Sequence, residues 1–281
     1  MIAVLLAGCS GCPGRPAETS EAESSGTAET EAAAESTLPG TAPPETESAS
    51  ENLSAEYCVR EVPAPPFTVQ DAPPYGSSNA DQDRPEAEPF VSVHEDRPFF
   101  DTAVLQEVLD NAGSRIVLSP LDGFGRAGTA LMCAGPETLP KGERGPTGLF
   151  RPSGWHQQQY PGLVDSTPPY LMNRAHLLMW ALSGLTSVNE NLIAGTRFMN
   201  TEGMLETELT VLRYIEDSGH HVLYRVTPVY DGDDLLASGV LIEAQSVEDS
   251  DCIHCVYVYN VQPGVEIDYR TGENRLAIEG E

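Results

Sequence analysis

From Ser10 to about Glu56 the chain carries scarcely a large apolar side chain; Glu, Ser, Thr, Ala, Pro and Gly make up nearly all of it. Such a stretch cannot bury enough surface to offset the entropy of ordering it, which for the backbone alone is roughly 1–2 kcal/mol per residue. Any core must be assembled from residues C-terminal to it. Proline stays dense through Pro63, Pro65, Pro66, Pro73, Pro74 and Pro85, so the expected disordered, self-repelling linker covers residues 10–89. Residues 90–281 remain, enough for one domain with a full core.

Charge does not divide the chain in the same way. Residues 1–89 hold 16 of the 43 acidic residues and 3 of the 15 basic ones, a net of −13, and residues 90–281 carry a net of −15, for a total of −28. The acidity therefore extends over the expected domain, and Lys141 is the only lysine. A body of this sign has weak long-range attraction for a polyanion.

The first residues suggest a purpose for the linker. Ile2 to Leu6 is a short apolar run ending in Leu6-Ala7-Gly8-Cys9, which resembles a bacterial lipobox, with residues 1–9 as signal remnant and Cys9 as the lipidated residue. No Lys or Arg precedes the run and it is shorter than a usual signal core, so the expected start lies upstream of Met1. No other stretch approaches the roughly 20 apolar residues that a spanning helix needs. The expected contact with a membrane is thus through lipid alone. With Cys9 set aside, Cys12, Cys58, Cys133, Cys252 and Cys255 are an odd number, and at least one cannot pair within the chain. Cys252-Ile253-His254-Cys255 leaves three readings open: a small-loop disulfide, free thiols, or a metal or redox pair.

The rest reads as α+β, an antiparallel sheet core with helices. Thr102 to Asn111 has helical spacing and is stopped by Gly113. Strands are expected at Arg115–Pro120, Gly125–Cys133, His221–Tyr230, Ser238–Val247 and Cys255–Gln262, with the turn Asp231–Asp234 joining two of them as a hairpin. Thr201 to Asp217 is a further helix, with Met204, Leu205, Leu209, Leu212 and Ile215 on one face and Gly219 beyond its end. Asn200 then stands at its N-cap, where an amide is favoured for capping alone.

Three residues nevertheless make a chemical set. His176 supplies a base that titrates near neutrality, Asn200 an amide oxygen, and Glu208 a carboxylate two turns further along the helix; together they suit phosphodiester cleavage with one divalent ion. Singly, each has a plainer reading in core packing, capping or a solvated helix face.

The surrounding segments change that balance. Leu121–Gly128 (LDGFGRAG), Glu143–Gly148 (ERGPTG), Pro152–His156 (PSGWH), Asn173–Leu177 (NRAHL), Asn191–Leu205 (NLIAGTRFMNTEGML), His221–Tyr230 (HVLYRVTPVY), Ala237–Val240 (ASGV) and Tyr259–Gly264 (YNVQPG) resemble the DNA/RNA non-specific endonucleases. The nearest branch is the secreted DNases and DNA-entry nucleases of Gram-positive bacteria, and the resemblance covers about Phe90 to Gly272. It implies a ββα-metal finger within the α+β domain, His176 as general base, Asn200 as the direct ligand of Mg²⁺ (Mn²⁺ as a substitute), and Glu208 as the holder of metal-bound waters. Arg174 joins them in the catalytic set, and Arg144 and Arg197 are the substrate-binding candidates. Two departures stand out. Ala175 fills a place usually held by Gly or Ser, tolerable unless it needs positive φ, and Glu143 stands beside Arg144 where relatives often carry a basic residue.

The expected protein is thus a monomeric, lipid-anchored extracellular endonuclease of a Gram-positive bacterium, acting on DNA, with RNA as a second substrate, and with little sequence preference. A surface lipoprotein on the same fold that binds a ligand or partner without activity, and a metal-dependent toxin or effector, are the alternatives.

Overall fold

The protein is described by a computed structural model over residues 57–77, 88–100, 116–146 and 149–278. The expected helix at Thr102–Asn111 and the lipobox with Cys9 lie outside these residues. Among the described residues no helix is long and apolar enough to cross a membrane.

Strands β1 (Tyr57–Val59), β2 (Phe90–Ser92), β3 (Ile116–Leu118), β4 (Ala130–Ala134), β7 (Val222–Val229), β8 (Gly239–Ser246) and β9 (Ile253–Tyr259) form one sheet in the order β1-β3-β4-β7-β8-β9-β2. Only β1 and β3 run parallel. The α+β expectation holds, and so does the hairpin: β7 and β8 pair from Val222↔Ser246 to Val229↔Gly239 across the Asp231–Asp234 turn. Two boundaries move. Residues 122–126 form a turn in which the Asp122 carboxylate accepts from the Phe124 and Arg126 amides, so the second expected strand starts only at Ala130. β9 begins inside the Cys252–Cys255 motif and ends at Tyr259.

Every residue of β7 is buried, because both faces of the sheet are covered. On one face Val222, Tyr224, Val226, Val240, Ile242, Ala244, Val256 and Val258 pack in the main core. On the other, Leu223, Leu241, Cys255, Tyr257 and Tyr259 meet Val62, Phe67, Val69, Ala72, Val93 and Phe99. The linker expected over 10–89 is therefore too long at its C-terminal end. Tyr57–Val59 is a strand of the sheet, and the proline-dense segment after it lays its few apolar side chains across the outer face. Proline suits this placement, since an extended chain crossing a sheet needs no ladder hydrogen bonds. A buried ion pair secures it. Arg225 Nε and Nη2 donate to Glu243 at 2.6 and 2.8 Å, Glu243 accepts from the Phe99 amide at 2.7 Å, and Arg225 Nη1 donates to the Pro63 carbonyl.

The three readings of the C-x-x-C motif reduce to free thiols. Cys252 belongs to the core on one side of the sheet and Cys255 to the core on the other, as an odd spacing along an extended chain dictates. Burial pushes the two thiols up to about 11 and about 12, which leaves them protonated and unreactive.

The finger is a second, smaller assembly. Strands β5 (Met172–His176) and β6 (Leu192–Thr196) pair antiparallel from Met172↔Thr196 to His176↔Leu192. Their connection contains the short helix α1 (Trp180–Ser183), and β6 leads directly into helical structure that ends in α2 (Leu205–Ser218), stopped by Gly219 in the left-handed region. Asn260, fully buried just past β9, docks this unit onto the sheet. Its Oδ1 accepts from the Thr196 amide at 2.9 Å, and its Nδ2 donates to the Ala194 and Ala237 carbonyls at 3.1 and 2.9 Å. Gln262 adds a bond from the Phe198 amide. Asn260→Ala strands three buried backbone groups and is expected to cost about 2–3 kcal/mol, read as a fall of roughly 5–10 °C in the thermal midpoint. A midpoint within a degree of the parent would show that the finger is held by other contacts.

Candidate active site

The finger decides where each candidate side chain points. His176 ends β5, so its ring lies at the rim of the ribbon, 7% exposed. Its Nε2 is 3.0 Å from the Thr186 carbonyl oxygen. An oxygen with only lone pairs requires a proton on that nitrogen, which leaves the lone pair on Nδ1. An Arg144 guanidinium nitrogen, 3.3 Å from Nδ1, donates to it. Burial and then the Arg144 charge depress the imidazole to about 4, although the Thr186 bond works in the other direction. At neutral pH the side chain is an uncharged base with a defined tautomer. The loop carrying Thr186 is itself pinned, because the buried Asn191 amide accepts from the Leu178 amide and donates to the Leu178 carbonyl.

Asn200 is not the N-cap. Helical backbone begins at Arg197, and the capping hydroxyl belongs to Thr196, which accepts from the Met199 amide at 3.0 Å and donates to the Val261 carbonyl. Asn200 then falls inside a π-helical turn, Met199–Met204, that precedes α2. Such wide turns recur at functional sites because they re-aim side chains that a regular helix would stack. Gly203 shows how closely this turn is pressed to the sheet, since a Cβ there would sit 2.4 Å from Val258.

The buried stripe of α2 also differs from the expected one. Met204, Glu208, Val211 and Ile215 face inward, while Leu205 is exposed at 37%. Glu208 occupies a position where the pattern calls for an apolar side chain. Burial pushes its carboxyl up to about 8, with Arg144 opposing.

All six residues expected at the site, Arg144, Arg174, His176, Arg197, Asn200 and Glu208, line one cleft of about 610 Å³. Arg174 Nε donates to the Phe150 carbonyl, and its guanidinium lies 4.8 Å from the Trp155 ring centre. Arg197 Nε is buried without a partner, as is the Asn173 amide nitrogen. Among the described residues none of the three arginines is ion-paired to a carboxylate, whereas Arg126, Arg225 and Arg275 are. The cleft thus holds donors in waiting for an anion. Glu143 is exposed and does not line it, and Ala175 sits in β5 with no positive φ, as its tolerance required.

Sequence reasoning missed several contributors. Trp155, Gln157, Tyr170 and Trp180 line the cleft; Trp155 lay within the PSGWH segment, but nothing marked the others. Thr186 acts through its backbone carbonyl, which no side-chain pattern could reveal.

An antiparallel sheet with a ββα unit bearing a histidine, an amide and a carboxylate on one arginine-lined cleft defines a recognisable class. The DNA/RNA non-specific endonuclease family matches residues 151–248, and the chain carries a domain of that family, which includes every candidate except Arg144. A deoxyribonuclease of Streptococcus dysgalactiae subsp. equisimilis is 34% identical over 108 residues, 37% of this chain. The chain spans about a third of that relative's length, 32%. NucA from Streptococcus agalactiae, solved with magnesium bound and with no metal bound, is similar in fold at a TM-score of 0.56 and 23% identity. In both cases 67% of this chain is covered, with 86% and 87% of the other.

Proposed function

We propose that this chain is an extracellular, divalent-metal-dependent endonuclease that hydrolyses phosphodiester bonds of DNA, with RNA as a second substrate, and little sequence specificity. The observation that carries this reading is the His176 ring: one nitrogen is committed to the Thr186 carbonyl and the other faces the arginine-lined cleft as a neutral base. In this role His176 Nδ1 takes a proton from the attacking water, and the imidazolium formed is held by the Thr186 carbonyl. Arg144, Arg174 and Arg197 grip the phosphate, and Arg197 Nε gains the partner it lacks. Binding of phosphate also draws Arg144 toward an anion and uncovers Nδ1.

The donor set suits a hard cation. Asn200 and Glu208 offer oxygens to the cleft, and among the described residues there is no cluster of three or more His, Cys, Asp or Glu that could cage a metal. Mg²⁺, or Mn²⁺ in its place, keeps most of its waters and needs few protein ligands. Asn200 would bind it directly and Glu208 would hold its waters. The ion would supply charge neutralisation on the phosphoryl and leaving oxygens.

Anchoring through a lipid on Cys9 at the surface of a Gram-positive bacterium belongs to the same proposal and rests on Leu6-Ala7-Gly8-Cys9; mass spectrometry of the mature N-terminus checks it. The activity is tested by plasmid degradation. Cleavage is expected with Mg²⁺ or Mn²⁺, abolished by chelator, and reduced at least about a hundredfold in Asn200→Ala, since one interaction specific to the transition state is worth that much. Absence of cleavage by the intact chain with several divalent metals would sink the proposal.

A further inference from the structure

The cleft has an unusual wall. Beside its three arginines it is lined by Trp155, Tyr170 and Trp180, with Tyr170 41% exposed. Among the described residues no ring contact joins any two of the three; Trp155 packs against its neighbouring core and carries the Arg174 guanidinium over its ring, whereas Tyr170 and Trp180 have no ring or cation partner. The surroundings have the opposite charge. Glu143, Asp165, Glu202 and Glu206 are exposed and adjoin the lining residues Arg144, Ser166, Thr201 and Leu205 in sequence, on a chain of net −28.

A duplex presents about one phosphate charge per 1.7 Å of axis, twice the density of one strand. A duplex lying across the mouth would bring its second strand toward a strongly acidic body. A single strand needs only one phosphate in the arginine cluster. Its unpaired bases can stack on aromatic faces, a contact worth roughly five- to a hundredfold in affinity per base and indifferent to base identity.

Resting on the nuclease reading above, we propose that the cleft selects single-stranded polynucleotide, with Tyr170 and Trp180 as the base-stacking wall and Arg144, Arg174 and Arg197 as the phosphate floor. The acidic body, which opposes a nucleic-acid enzyme in general, then acts as a filter against duplex.

The test uses a property of this chain: its two tryptophans, Trp155 and Trp180, both line the cleft. Intrinsic fluorescence of the full chain in chelator therefore reports on this site and on no other tryptophan. Titration with an oligothymidylate is expected to quench it, with affinity at least about tenfold above that for a duplex of equal length. Tyr170→Leu should weaken the single strand at least about fivefold, whereas Tyr170→Phe, which keeps the π face, should bind like the parent. In Mg²⁺, the single strand should be cut faster than the duplex. Plasmid cleavage without quenching by the single strand, or with equal or tighter duplex binding, overturns this proposal and leaves the nuclease reading standing. Quenching by the single strand without cleavage in any metal does the reverse.

Discussion

His176→Ala is expected to lower the rate of DNA cleavage by about a thousandfold, the middle of the range for loss of a positioned general base, while the protein stays folded. The two effects separate because the ring contributes only two hydrogen bonds, to the Thr186 carbonyl and from Arg144, each worth about 1 kcal/mol to the fold. Initial rates on a defined oligonucleotide, with thermal denaturation as control, measure both. Loss below tenfold with an unchanged melting curve would remove His176 from the chemistry. The pH profile adds a second check. Burial and the Arg144 charge hold the imidazole near 4, below its ordinary 6.5, so the base stays unprotonated well into mild acid. The ionisation of His176 in kcat/KM should therefore lie below 6.5, apart from that of the Glu208 carboxyl, which burial pushes up to about 8. Bound phosphate neutralises Arg144, so the His176 ionisation in kcat should lie above that in kcat/KM. The same depression has a sign for stability: between 6.5 and about 4 the unfolded histidine takes up a proton that the folded one refuses, and the fold weakens as pH falls through that window.

What could be read in the chain beforehand was the part written in periodic patterns. β7, β8 and their turn follow from alternating and β-branched runs, and Gly219 marks the end of α2 in both readings. The site was legible only through neighbouring segments. Asn200 looked like a cap because a polar residue before an apolar-periodic stretch usually is one. The true cap, Thr196, lies one turn earlier at the end of a strand, and the intervening turn is wide. Glu208 looked solvated because a carboxylate in the middle of a buried stripe breaks the rule that the pattern rests on. Asn260 and Gln262 bond the finger through long-range side-chain contacts, a category that no local window reports. The proline-dense segment misled in the other direction, since its composition is that of a linker while Val62, Phe67 and Val69 cover half the sheet.

That cover leaves the Arg225–Glu243 pair buried. Glu243 is 0% exposed and Arg225 2%, and the carboxylate takes two bonds from the guanidinium and one from the Phe99 amide. Phe100 lies against the guanidinium at 4.9 Å. Removing one charge leaves the other buried without compensation, a cost of about 3–5 kcal/mol. Glu243→Gln is therefore expected to lower the thermal midpoint by roughly 10 °C. The loss should be larger than for Asn260→Ala, where only neutral groups are stranded. Because a single variant can fail for unrelated reasons, the decisive comparison is with Arg225→Met/Glu243→Leu. A buried pair returns little net stability once its desolvation is counted, so exchanging both members for apolar side chains should recover much of what either single change loses. The double variant leaves the Pro63 carbonyl and the Phe99 amide unsatisfied and should stop short of the parent by about 1–3 kcal/mol. Recovery in the double variant places the penalty in the uncompensated charge. If instead the double variant is as unstable as the two singles combined, the two side chains are net stabilisers through their hydrogen bonds to Pro63 and Phe99, and the charge account is wrong.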